Sequence, residues 1–330
     1  MSQSANHALI FGASGVAGWG LVNEILKNYP KEGTFSKVTT VINRPLKLQD
    51  YYWPHASPSR PELQLVSGVN LLNGTVEEFA SSLNEKIRGL ETVTHAYYFE
   101  TMRLPPSLST ENWYASFQTH LTAASANRTW TWCEVCPDAI IGFVPNGSTF
   151  NLAAHWATYL SAYLLLEGKG AEVPYPGTAR GYESKFNDAS ASIIGRLAIW
   201  ASLSPEKCGG GRLFNIADRE QPSSMAERWP MICDYFGLVG VPPLGEGKGT
   251  LLPGEYLEAR KEELDEKGFR GVSVWKGDFI DTYGFYCDFD RQLSLAKIRE
   301  VGFLEERDPH ESWVEAFEAF RRAGMIPGSE

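Results

Sequence analysis

The chain opens on a short apolar run, a glycine-rich break and a second apolar pattern of longer period, "HALIFGASGVAGWGLVNEIL". The first run suits a strand, and Leu21, Val22, Ile25 and Leu26 then fall on one side of a helix. The pattern continues with a strand-like "KVTTVINRPL", a third such run in "ELQLVSGVNLL", a helical "VEEFASSLNEKI" and a fourth strand in "VTHAYYF". Strands alternating with helices predict an α/β chain with a doubly wound parallel sheet of the Rossmann type.

After Phe99 the rhythm breaks. A proline-containing stretch, "ETMRLPPSLST", runs into an amphipathic helix predicted from about Glu111 to Ser125, with Trp113, Phe117 and Leu121 as its buried stripe and Ser109 or Thr110 as its cap. One strand is expected across "TWTWCEVCPDAIIGF" and a long helix from Asn151 to Leu166. A further helix is expected in "KFNDASASIIGRLAIWAS", entered through Asn187 or Asp188, then a late strand in "RLFNIAD" and a charged helix in "YLEARKEELDEKG". The implied organisation is a dinucleotide-binding core over 1–150, completed by about 187–218, with 151–186 and 219–330 forming a smaller, mostly helical substrate lobe.

Composition narrows the function classes. With 43% apolar and 21% charged residues the chain reads as globular rather than disordered. A net charge of −10, with no Lys/Arg cluster longer than a pair such as Arg321-Arg322, argues against a nucleic-acid partner. The greasiest segment, Ala153 to Leu166, is too short for a bilayer and carries His155 and Trp156, and the first apolar stretch has no basic residues before it and suits a strand, so neither a membrane partner nor a signal segment is expected, and the expected compartment is the cytoplasm. Five cysteines, at 133, 136, 208, 233 and 287, suit reduced thiols; Cys133 and Cys136 form a CxxC with no second half to complete a metal site. His155 reads as a core histidine.

The candidate chemistry begins at Gly12-Ala13-Ser14-Gly15-Val16-Ala17-Gly18, a GxxGxxG between a strand and a helix. Gly12 permits the tight turn, Gly15 lets the backbone approach a pyrophosphate, and Gly18 allows helix and strand to pack closely. At the end of the second strand stand Asn43-Arg44, with no carboxylate to hold the ribose hydroxyls of NAD, which favours NADP(H) as the cofactor. Asn70 and Leu71, after the third strand, occupy the place of an adenine contact.

Taken together, "GASGVAGWGLVNEIL", "INRPL", "THAYYF", "NWY" before a helix, "WTWCEVCPDAIIGFVPNGSTFNLA" and "FDRQLSLAKIREVGF…SWVEAFEAFRRAGMIP" resemble the atypical short-chain dehydrogenases similar to progesterone 5β-reductase and iridoid synthase, in particular their fungal branch. The resemblance covers nearly the whole chain. It implies NADPH-dependent reduction of an activated C=C or C=O in a small apolar metabolite of fungal secondary metabolism, by a monomer or homodimer. It also assigns roles. Ser14, Gly15 and Val16 match the phosphate-loop contacts, and Asn43 and Arg44 the 2′-phosphate pair, the first of which is usually arginine. Asn70 and Leu71 match the adenine contact, Pro137 to Ile140 the segment lining the nicotinamide, and Ser148 a neighbour of that segment. Tyr114 matches the catalytic tyrosine, with Trp113 and Ala115 replacing the flanking aromatics.

One part of that pattern is missing. A tyrosine acid, with an ordinary pKa near 10, is helped by a neighbouring ammonium. The resembled family carries that lysine on a strand before the tyrosine, yet no lysine occurs between Lys86 and Lys169, and Gln118 stands four residues after Tyr114. The 14 residues from Glu100 to Trp113 are also too few for a crossover helix, a strand and a loop. Arg103, Arg128 and His95 are the remaining candidates for a positive charge, while His120 is expected in solvent. Two alternatives to a reductase therefore stand beside it: a non-redox isomerase or cyclase on the same fold, and an NADPH-binding paralogue without activity.

Overall fold

A computed structural model describes residues 6–43, 47–70, 74–99, 113–146, 151–245, 251–269, 271 and 278–327. The chain divides into two compact units, Met1–Cys136 with Ile194–Ile216 and Leu295–Leu304, and Pro137–Ile193 with Ala217–Ser294 and Glu305–Glu330. In chain order the first half runs β1 (Asn6–Phe11), α1 (Val16–Leu26), β2 (Phe35–Val41), β3 (Glu62–Val66), α2 (Val76–Lys86), β4 (His95–Tyr98), α3 (Trp113–Ser125), β5 (Cys133–Pro137), β6 (Ala139–Ile141) and α4 (Leu152–Glu167). It continues through β7 (Glu172–Pro174), α5 (Ala179–Glu183), β8 (Lys185–Phe186), β9 (Asp188–Ser190), α6 (Ala191–Ser202), α7 (Pro205–Cys208) and β10 (Arg212–Ile216). The remainder is β11 (Ser223–Ser224), α8 (Met225–Tyr235), β12 (Val239–Val241), α9 (Pro253–Ala259), α10 (Lys261–Glu266), α11 (Tyr283–Tyr286), α12 (Ala296–Glu300) and α13 (Pro309–Arg322).

In the first unit β1 to β4 form a parallel sheet in the order β3-β2-β1-β4. Strand geometry sends Leu9, Val41 and Val66 to one side, where they meet Leu83 and Ile87 around α2. Helix α1 buries Leu21, Val22, Ile25 and Leu26 as its pattern requires, and α6 lies so close to it that a Cβ on Gly195 would stand 2.9 Å from the Cα of Leu21. The ion pair of Arg196 Nε with Glu24 Oε2, at 2.8 Å, joins the same two helices.

The sheet does not run on. Strand β5 pairs with β10 in a separate two-stranded sheet, and among the described residues no strand bridges β4 to β5. A middle strand of a doubly wound sheet is covered on both faces. Here Ala96 and Tyr98 of β4 are exposed, and Phe117 and Leu121 of α3, expected to be buried, are only half-buried. That is the physical counterpart of the short stretch after Phe99, whose own residues, with the expected caps Ser109 and Thr110 and the candidate Arg103, lie outside the described residues.

Three expectations are corrected. The strand foreseen over 129–143 is two strands, because β5 pairs with β10 and β6 with β9, and the turn of partner falls at Pro137-Asp138, where proline has no N–H to offer a ladder. The helix foreseen within 185–202, entered through Asn187 or Asp188, begins only at Ala191: residues 185–186 and 188–190 are taken into strands, and Ser190, whose Oγ accepts from the N–H of Ile193 at 3.2 Å, caps the helix instead. The charged helix foreseen over 256–268 breaks at Arg260 into α9 and α10.

The second unit is built on aromatic packing, with Trp156, Trp229, Trp313, Phe317 and Phe320 fully buried. Its α4 buries every side chain from Leu152 to Ala162, His155 included. The His155 ring lies 4.4 Å from that of Trp156, and burial pushes its pKa down to about 3. Because the folded pKa lies below the unfolded 6.5, this histidine costs nothing above pH 6.5, and stability is lost as the pH falls below it. At pH 4.5 the loss is expected to be ~2–3 kcal/mol, from ~1.4 kcal/mol per pH unit. Urea unfolding at pH 7.5 and 4.5 checks it: His155→Leu should lose less stability between the two than the parent chain, and an equal loss in both would refute the assignment.

Candidate functional site

The geometry of the loop between β1 and α1 follows from its glycines. Gly12 takes a φ of +80°, which a side chain disfavours, and its N–H donates to Val41 O at 3.3 Å. Gly15 is the N-cap of α1 with no side chain to close the helix end, and the first helical hydrogen bond is Trp19 N–H to Gly15 O at 2.8 Å. The amides of Val16, Ala17 and Gly18 therefore have no acceptor within the helix, and the first turn carries no acidic residue. Eleven residues of helix stand behind these donors, so the end suits an anion such as a pyrophosphate.

Gly18 is required for packing. A Cβ there would stand 2.3 Å from Gly12 O and 2.8 Å from Gly12 C, both backbone atoms. Gly18→Ala is expected to lower stability by ~1–3 kcal/mol, the usual cost of overpacking. Urea unfolding measures it, and an unchanged midpoint would contradict the tight crossing of β1 and α1.

The other predicted cofactor residues of this unit collect at the carboxyl ends of the same sheet. Asn43 is exposed just beyond β2, and Asn70 half-buried beyond β3. Hydrogen bonds from Ile42 N–H to Val66 O at 2.9 Å and from Val69 N–H to Ile42 O at 3.2 Å tie those two ends together. Ser14 and Gly15 face the same edge from the loop after β1. Arg44, Leu71 and Ser148 lie outside the described residues. Pro137 ends β5 and Ile140 sits inside β6; both are half-buried and belong to the second unit.

Tyr114 lies in the first turn of α3 and is 51% exposed. Its phenol is raised above the ordinary value of 10, first by partial burial and then by the Glu134 carboxylate and Cys136. A carboxylate thus acts on this tyrosine where the resembled pattern has an ammonium. Gln118, at the position of a short-chain dehydrogenase lysine, donates from Nε2 to Glu134 Oε2 at 2.7 Å and holds that carboxylate beside α3. Residues 134 and 136 share one face of β5, as two-residue periodicity dictates, but nothing local in the sequence places that face beside Tyr114. Cys136 itself is pushed up to about 11, chiefly by burial, which disfavours its thiolate.

Of the candidate cations, Arg128 is exposed, and His95 bonds Thr94 Oγ1 at 2.8 Å with its ring edge-on to Phe35 at 5.6 Å. His120 is exposed, as expected. Lys297 on α12 is a lysine whose charge reaches Cys136, from a region where sequence reasoning did not look for one.

The PRISE-like Rossmann-fold domain matches residues 8–103 and 99–327. The chain belongs to this family. The two matched stretches overlap at 99–103, in the interval between β4 and α3. Among relatives, a short chain dehydrogenase, ausT, of Aspergillus calidoustus is 27% identical over 402 aligned positions, covering 99% of this chain and 96% of the relative. The chain has 330 residues, so at least 72 of those positions, the difference, face gaps here. A 3-oxo-Delta(4,5)-steroid 5-beta-reductase of Arabidopsis thaliana is 25% identical over 232 positions, covering 66% of this chain and 56% of the reductase. In fold the chain resembles a UDP-N-acetylglucosamine 4-epimerase from Methanobrevibacter ruminantium M1, with a TM-score of 0.57 at 11% identity over 97% of this chain and 99% of that one. Among the described residues, no helix is long and apolar enough to cross a membrane.

Proposed function

We propose that this PRISE-like protein is an NADPH-dependent reductase of an activated C=C or C=O in a small apolar metabolite. The observation that carries the reading is the open, uncapped end of α1 behind a Gly18 that admits no Cβ, in a chain whose relatives are named short chain dehydrogenases and reductases. The amides at the start of α1 bind the pyrophosphate, Asn43 and Arg44 the 2′-phosphate, and Asn70 with Leu71 the adenine. Pro137 to Ile140, with Ser148 beside them, line the nicotinamide, and 151–186 with 219–330 cover the substrate. The bound cofactor supplies the hydride.

Tyr114 donates a hydrogen bond to the substrate carbonyl. Its raised pKa keeps it protonated through the neutral range, which suits a donor and disfavours the phenolate. With no ammonium to stabilise that phenolate, the tyrosine polarises the carbonyl, and water, which reaches this half-exposed residue, completes the proton inventory. The relative named as a steroid 5-beta-reductase supports a carbonyl conjugated to an alkene as the substrate class.

A second reading rests on Glu134: a carboxylate beside Tyr114 also suits a protein that binds NADPH but no longer reduces, or that isomerises without redox. Incubation with NADPH and a panel of enals, enones and ketones, followed by absorbance of the reduced cofactor, decides. Oxidation of NADPH supports the reductase; binding without oxidation supports the second reading; neither binding nor oxidation removes both. Arg44→Ser is expected to weaken NADPH about 10- to 100-fold, the worth of charge-assisted hydrogen bonds, with NADH unchanged. Titration of both cofactors tests it, and a parallel loss would place the 2′-phosphate elsewhere.

A further inference from the structure

Between β5 and β6 a single residue, Asp138, stands outside both strands, at the point where the chain leaves one ladder for another. Among the described residues, its carboxylate is held by Arg291. Arg291 Nε donates to Asp138 Oδ1 at 3.3 Å and Oδ2 at 3.2 Å, from a residue 153 positions away. The rest of that guanidinium is committed as well: Nη2 donates to the Tyr283 hydroxyl at 2.7 Å and Nη1 to Cys287 O at 3.3 Å. Its carbon lies 5.0, 5.5 and 5.6 Å from the ring centroids of Phe186, Tyr283 and Phe289.

The segment that carries Arg291 is itself pinned. Arg291 N–H donates to Lys185 O at 2.8 Å, and Lys185 N–H to Asp290 Oδ1 at 2.9 Å. A Cβ on Gly284 would stand 2.4 Å from Pro176 O, so α11 is seated backbone against backbone. Leu293 N–H donates to Asn187 Oδ1 at 2.8 Å. A rigid arm thus presents a planar fork to the one residue at the bend. The Arg291 side chain is 14% exposed and Asp138 24%, enough shielding for a charge-assisted contact to outlast an exposed pair.

We propose that Arg291 is a positioning residue: through Asp138 it fixes the direction of Pro137 to Ile140 and thereby the nicotinamide half of the cofactor site. This rests on the reading of that segment as the nicotinamide wall, and the test separates the two. Adenosine 2′,5′-bisphosphate carries the adenine and the 2′-phosphate of NADPH without the nicotinamide, so it reports the other half of the site. Arg291→Lys keeps the charge and loses the fork; Asp138→Asn keeps the size and loses the charge.

The measurement is the Kd of each variant for NADPH and for adenosine 2′,5′-bisphosphate, by fluorescence or calorimetry. In both variants NADPH is expected to weaken about tenfold, ~1.4 kcal/mol, while the bisphosphate changes less than about twofold. If both ligands weaken together, Arg291 serves general stability and the proposal fails; if neither moves, the clamp is irrelevant and it fails. If the parent chain binds NADPH no more tightly than the bisphosphate, the nicotinamide wall itself is misplaced and the proposal falls with it. Binding of neither ligand by the parent chain removes the cofactor reading as a whole.

Discussion

Tyr114→Phe is expected to lower kcat for carbonyl-substrate reduction about 10²-fold while leaving the Kd of NADPH unchanged. The size follows from the role. A preorganised donor to an oxygen on which charge develops is worth ~10²–10³ in rate, and a full general acid ~10²–10⁴. Tyr114 has the Glu134 carboxylate as its charged neighbour and a phenol raised above its ordinary value, so the lower end applies. Steady-state kinetics with saturating NADPH, alongside a cofactor titration, make the measurement. A rate within about twofold of the parent would show that the tyrosine matched by family pattern no longer acts in this chain, and would shift weight to the reading in which the broken sheet ended its chemistry.

The largest stability effect is expected at Arg228. Its Nε pairs with Asp188 Oδ2 at 2.8 Å, its Nη2 donates to Phe186 O at 2.9 Å, and its guanidinium carbon lies 3.9 Å from the Phe186 ring centroid. Both partners are deeply buried, at 4% and 0% side-chain exposure. Burial pushes the Asp188 carboxyl up, and the positive charge of Arg228 is the strongest influence opposing that push. Arg228→Ala leaves the carboxylate buried without its counter-charge, for an expected ~3–5 kcal/mol. Replacing both partners by apolar residues of similar size, as Arg228→Met with Asp188→Leu, should cost less than the single change. Equilibrium urea unfolding tests the pair, and a single-variant loss below ~1 kcal/mol would contradict a desolvated ion pair.

Much of the first unit was legible because local pattern and final packing agree. The apolar residues of β1 to β4 and the Leu21, Val22, Ile25, Leu26 stripe point where a parallel sheet and its helices need them, and the Gly12, Gly15, Gly18 spacing has one steric meaning after a strand. The missed boundaries share a different cause. The strand over 129–143 splits because its two halves find partners far along the chain, β10 and β9, and no local period records a change of partner. Residues 185–190 could extend a helix by composition, but β11 and β6 recruit them into ladders. The burial foreseen for α3 rested on its own apolar spacing, which does not record what covers the helix.

At the candidate site the same division holds. The glycine turn between β1 and α1 is local, and its shape follows from the spacing of its glycines. The neighbours of Tyr114 come from β5, and the Asp138–Arg291 contact joins residues 153 apart, so only the fold brings them together. The absent lysine was legible as a gap in the sequence, and the family match that meets itself at 99–103 marks the same place.

The central claim is hydride transfer from NADPH to an activated substrate. Its most direct test is reaction of the full chain with NADPH deuterated at both C4 positions of the nicotinamide, across the panel of enals, enones and ketones, with products analysed by mass spectrometry. A reduced product carrying one deuterium on carbon is the predicted result; a product formed without deuterium, or NADPH bound with every compound recovered unchanged, would contradict it.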